Sequence, residues 1–142
     1  MSETGTTEAA ARAASVLRTT LAGCVGACLA LGVMGLALTA LTGADGAVAW
    51  PGVSLLGLGQ LLALVAAAVA GWGLRRVLAG DAPRAVTARV RSALGRVEQA
   101  LLVLLALGAL AWVVARPEAT VAILACALVS AQVAAVLHLL RR

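Results

Sequence analysis

The sequence predicts an all-α integral membrane protein: four transmembrane helices in a compact bundle, with a basic amphipathic cytoplasmic helix between the second and third. Three observations point there. Of the 142 residues, 63% are hydrophobic and only 12% charged, with a mean hydropathy of +1.05, whereas soluble domains run near about 45–50% apolar and about 25% charged. A soluble domain this small has too little interior to hide so much apolar surface. The apolar residues gather into four long stretches with almost no charge, and the arginines outside them fall almost all in alternate segments, on one side of the expected membrane.

Residues 1–15 are small and polar and read as a disordered cytoplasmic N-terminus, which leaves residues 16–142 as the transmembrane domain. The first helix is expected over about 21–41 and the second over about 52–74, both free of charge. The third is expected over about 99–115 and the fourth over about 119–140. About 20 apolar residues, with a range of about 17–25, cross the hydrocarbon core as a helix. An open strand there would leave backbone groups unpaired, so each crossing is helical. Ala47-Val48-Ala49 has the small-residue look of a signal cleavage site. The apolar stretch before it is longer than a signal core of about 7–15 residues. Glu3 and Glu8 also balance Arg12 and Arg18, which favours an uncleaved helix.

The 11 basic residues are all arginine. Arg12 and Arg18 precede the first stretch. Arg75, Arg76, Arg84, Arg89, Arg91 and Arg96 separate the second from the third, and Arg141 and Arg142 follow the fourth. Only Arg116 lies on the other side. The positive-inside rule then places both termini in the cytoplasm of a plasma-membrane protein. Trp50 and Trp112 fall at outer helix ends and Trp72 at an inner one, as aromatic belts do. The net charge of +5 is therefore membrane topology rather than a nucleic-acid footprint, which would want a basic patch interleaved with aromatics.

Segment 81–98 carries the most information outside the membrane. Asp81 suits a helix cap and Pro83 a first turn. Val86, Val90, Leu94 and Val97 share one face, with Arg84 and Arg91 on one edge and Arg89 and Arg96 on the other. This is the pattern of a helix lying among anionic lipid headgroups, with Gly95 offering a bend into the third span. A solvated linker and a dock for an acidic partner are the competing readings.

The four apolar cores hold no charged residue. This counts against a proton-coupled exporter or a carboxylate-lined channel, which need one in the membrane. Gln60 lies in the outer half of its helix and Gln132 in the inner half of its own, so each is expected to bond a carbonyl or hydroxyl on a neighbouring helix. Cys24 and Cys28 share a face, Cys126 is on the fourth helix, and His138 sits near the inner end beside Arg141 and Arg142. Their depths do not converge on a four-ligand zinc site, so the thiols read as small hydrophobes. Stripes of small residues run along three helices: Cys24, Cys28, Gly32 and Gly35; Gly59, Ala63, Ala67 and Gly71; and Ala122, Cys126, Ser130 and Ala134. Such stripes let membrane helices approach closely. No catalytic, phosphate-cradling or dinucleotide motif is present, so neither an enzyme nor a cofactor or metal is expected.

Several short motifs carry a resemblance: Gly57-Leu58-Gly59 in the second helix and Arg75-Arg76 at its end, Gly95-Arg96-Val97-Glu98 entering the third, Arg116-Pro117 after it, and Ala131-Gln132-Val133 in the fourth. With this layout the chain resembles the I protein (AtpI) family of bacterial F-type ATP synthase operons over roughly residues 16–140. The resemblance implies four helices with cytoplasmic termini and an accessory role in assembling the synthase rotor ring, with a link to magnesium. Glu98 and Gln132 are then the first positions to test. The function expected is a small accessory protein that binds other membrane helices or copies of itself, the alternative being a small homo-oligomeric transporter or channel.

Overall fold

The structure, a computed structural model, describes residues 3–42 and 49–141. Four long helices make up nearly all of it: α1 (Glu3–Thr42), α2 (Ala49–Leu78), α3 (Pro83–Ala115) and α4 (Thr120–Arg141), the last entered through a 3-10 turn at Pro117–Ala119. All four are long and apolar enough to cross a membrane. Segment 43–48 lies outside the described residues, and with it Ala47 and Val48 of the considered cleavage site; Ala49 opens α2.

Close approaches fix the helix directions. Along α2, Gly52 meets Leu38 of α1, Gly59 meets Leu31 and Gly73 meets Leu17, so α1 and α2 are antiparallel. Ser54 of α2 meets Trp112 of α3 and Gly73 meets Val90, so these two are also antiparallel. Cys126 and Ser130 of α4 follow Gly52 and Gly59 in the same order, so α4 runs parallel to α2. α2 touches all three other helices and shares its most extensive interface with α1. The middle of its inward face is small: Gly59 is buried, and Ala63, Ala66 and Ala70 are fully buried, which lets neighbouring backbones come close.

The α2–α3 turn follows from one glycine. Gly80 has φ of 93°, a left-handed conformation that costs a residue without Cβ little. It allows the Asp81 N–H to reach the Arg76 carbonyl and the Gly80 N–H to reach that of Val77, the paired closure of a Schellman motif. Asp81 does not cap α3 as the sequence suggested. The cap position is Ala82, without a side-chain bond, and Pro83 takes the first turn. The Asp81 carboxylate instead accepts from Arg76 Nη1 at 3.1 Å, while that guanidinium lies 5.1 Å from the Trp72 ring centroid.

Two further expectations change. The amphipathic segment 81–98 is not a separate helix lying in the headgroups. Its helical part is the first half of a continuous α3, unbroken at Gly95. Val86, Val90 and Leu94 are buried in the protein core, because Gly73 lets α3 close on α2; a Cβ there would lie 2.5 Å from Val90 Cγ2. At the N-terminus, helix replaces disorder from Glu3 onward. Residues 8–14 hold five alanines, the strongest helix former, and Ala10, Ala13 and Leu17 join the same apolar core. The helices therefore outrun the apolar stretches read from the sequence, chiefly at the ends that carry arginine.

Candidate functional site

The helix register brings together groups that stand far apart in sequence. Glu98 of α3 and His138 of α4 meet, with Nδ1 of the imidazole 3.1 Å from Oε1 of the carboxylate. The Glu98 side chain is only 14% exposed and that of His138 41%. From the α2–α3 contacts, Glu98 stands level with the apolar stretch around Ala66 of α2, about 14 Å before Arg75 at 1.5 Å per residue. At that level the imidazole supplies the carboxylate a polar partner across the α3–α4 interface. The sequence marked the two residues separately, and their meeting went unread.

The two carboxamides are at nearly the same depth rather than in opposite halves. Gly59 packs on Ser130, which places Gln60 level with the Gln132 region. They are separated by Leu31 of α1, which lines the hollow on each side. Gln60 is half-buried and its amide lies over Gly32, where a Cβ would come within 3.2 Å of Nε2. Gln132 is exposed and faces a hollow between α1 and α4. Neither carboxamide has a hydrogen bond to another described residue, contrary to the bonding expected from the sequence.

That hollow is the inner part of an apolar groove. Its outer part has a volume of about 340 Å³ and is walled by Met34, Ala37 and Leu38 of α1 and by Ala122, Ala125 and Val129 of α4, with Leu56 at its base. The inner part, about 170 Å³, continues past Met34 and Val129 to Gln132 and Val136. Met34 thus borders both parts.

The small-residue positions divide. Gly59 sits at the junction of α1, α2 and α4, where a Cβ would lie 3.1 Å from Leu31 Cδ1 and 3.2 Å from Ser130 Oγ. The Ser130 hydroxyl, fully buried, donates to the Leu55 carbonyl at 3.3 Å. Gly71 meets nothing within 4 Å and is not a packing position; Gly73, two residues on, is. At the outer end Trp112 Nε1 donates to Ser54 Oγ at 2.9 Å, tying α3 to α2. Arg84, Arg89, Arg91 and Arg96 are all exposed on α3. Cys24, Cys28 and Cys126 are buried free thiols. Among the described residues no cluster of three or more His, Cys, Asp or Glu is placed to hold a metal.

Comparison with protein-family models, with curated proteins and with solved structures finds no match for this chain.

Proposed function

We propose that this chain is a multi-pass plasma-membrane protein with cytoplasmic termini, serving as an accessory or assembly protein that binds other membrane helices. The observation that carries the reading is the open α1–α4 groove, lined by alanines interleaved with Met34, Leu38, Val129 and Val136 and with Gln132 at one end. Helices in lipid associate by close packing of such residues and by hydrogen bonds between them, and the groove offers both. Exposed Arg84, Arg89, Arg91 and Arg96 sit at the arginine-rich end, where the positive-inside rule puts the cytoplasm and guanidiniums meet anionic headgroups. ATP synthase assembly is the specific form of this reading, with Glu98 and Gln132 as contact positions; its support is the resemblance of short motifs such as Gly57-Leu58-Gly59 and Ala131-Gln132-Val133 to those of the synthase I proteins.

Crosslinking in native membranes tests the reading. Recovery of the chain in a larger complex is expected, and recovery of no synthase subunit would end the ATP synthase version. Orientation is tested by thiol labelling: Glu118→Cys should react with an impermeant reagent on intact cells, and Asp81→Cys only after permeabilisation.

A further inference from the structure

We propose that the α1–α3 cleft at the arginine-rich end binds the headgroup phosphate of one anionic phospholipid, held by Arg91 together with Arg12 and Arg84. This rests on the orientation proposed above, which puts that end at the cytoplasmic headgroups. Gly73 of α2 meets both Leu17 of α1 and Val90 of α3, so Leu17 and Val90 are level and α1 runs parallel to α3. A crevice of about 40 Å³ opens beside them, floored by Leu17, Val90 and Leu94 and edged by Val16, Thr87 and Arg91. It has room for about one small polar group, a headgroup oxygen but not an acyl tail. The same Gly73–Val90 contact sets Arg91 level with Trp72, three residues short of Arg75, where the uncharged run of α2 ends. Indole rings mark the headgroup level, so the crevice lies at the depth of lipid phosphates rather than in open water.

Charge identifies the occupant. Arg84 lies two turns before Arg91 and points within about 20° of it at 3.6 residues per turn. On α1, Arg12 stands one turn before Val16 and shares its face. Counted from Leu17 and Val90, Arg12 and Arg84 are at about one level, one on each side of the cleft. None of these three guanidiniums forms an ion pair with a described residue. The Glu8 carboxylate is a further turn from the crevice, and Glu98, two turns past Arg91, is engaged by His138. Three uncompensated cations around one crevice call for an anion, and the planar guanidinium fork matches phosphate oxygens. A zwitterionic headgroup would bring a second cation to the same place, so a net anionic one is favoured. Arg89 and Arg96 point to the other edge of α3, about 160° from Arg91, and attract headgroups only as free charges.

Vesicles of equal phosphatidylcholine and phosphatidylglycerol supply the probe. Native mass spectrometry of the full chain released from them should show one phosphatidylglycerol retained per chain. Arg91→Gln should weaken its binding by about fivefold, the contribution of one arginine near an anionic surface; Arg12→Gln and Arg84→Gln should weaken it too. Arg91→Lys keeps the charge and loses the fork, and should also release the lipid. Arg89→Gln makes the same charge change on the other edge and should not. Equal losses in Arg89→Gln and Arg91→Gln, or full retention in Arg91→Lys, would overturn the site and leave diffuse attraction. Displacement of the lipid by millimolar glycerol phosphate would overturn a lipid as the source of the phosphate. Labelling of Asp81→Cys on intact cells would overturn the orientation and this site with it. The expected orientation with no phosphatidylglycerol retained would overturn the site alone.

Discussion

At the scale of single residues, two glycines two positions apart have opposite roles. Gly73 is where α3 touches α2, and the methyl of Gly73→Ala would fall 2.5 Å from Val90 Cγ2. Valine is stiff at χ1, so the helices must part; a loss of about 1–3 kcal/mol is expected, as for other overpacked cores. Gly71 has open space around it, and Gly71→Ala should gain up to about 1 kcal/mol from helix propensity. Thermal unfolding of the two variants in one detergent checks the pair, and equal shifts would refute the α2–α3 contact. Trp112→Phe removes the indole donor to Ser54 and should cost about 0.5–1.5 kcal/mol, and a double-mutant cycle with Ser54→Ala, whose hydroxyl also donates to the Pro51 carbonyl, should isolate that bond. Glu98 and His138 are coupled across α3 and α4. With His138 partly exposed, a double-mutant cycle of Glu98→Gln and His138→Gln should read a coupling of about 1 kcal/mol or less. Both members were conspicuous in the sequence, and each stands about 20 residues from the Arg116–Ala119 turn. Counting outward from that turn is the signal that would have paired them.

At the scale of elements, the four long apolar helices were readable because uncharged runs of about 17–25 residues mark them without reference to tertiary contacts. What was not readable was the fate of the valine face in segment 81–98. Val86, Val90 and Leu94 have the same spacing whether lipid or protein covers them. The deciding residue, Gly73, is on another helix and carries no pattern of its own. Residues 3–15 were misread for a related reason: alanines taken for inert linker are strong helix formers once Ala10 and Ala13 have a core to join. The continuity of α3 can be measured directly. Spin labels at positions 84 and 107, both exposed, should lie about 35 Å apart along a straight helix. A right-angle bend at Gly95 would bring the attachment points to about 24 Å by the same rise per residue.

At the scale of the whole molecule, polarity and packing follow different axes. The arginines divide the molecule into two ends, while the groove divides it along its length. Contacts made through the groove leave the charged ends untouched, so helix binding and headgroup attraction should respond to different reagents. Raising salt should weaken the enrichment of anionic lipid around the arginines by screening them, while crosslinks to a helix packed in the groove should hold. The helix register has one more consequence. Residues 51–74 of α2 give about 36 Å without a charge, whereas residues 99–115 of α3, bounded by Glu98 and Arg116, give about 26 Å. A bilayer cannot match both lengths at once. In a bilayer, lipid beside α3 would thin, or the molecule would lean, each at a fraction of a kcal/mol per Å. Inserted in a membrane, such a molecule is a wedge, its shallow side along α3 between Glu98 and Arg116, and favours a bilayer whose thickness falls between the two.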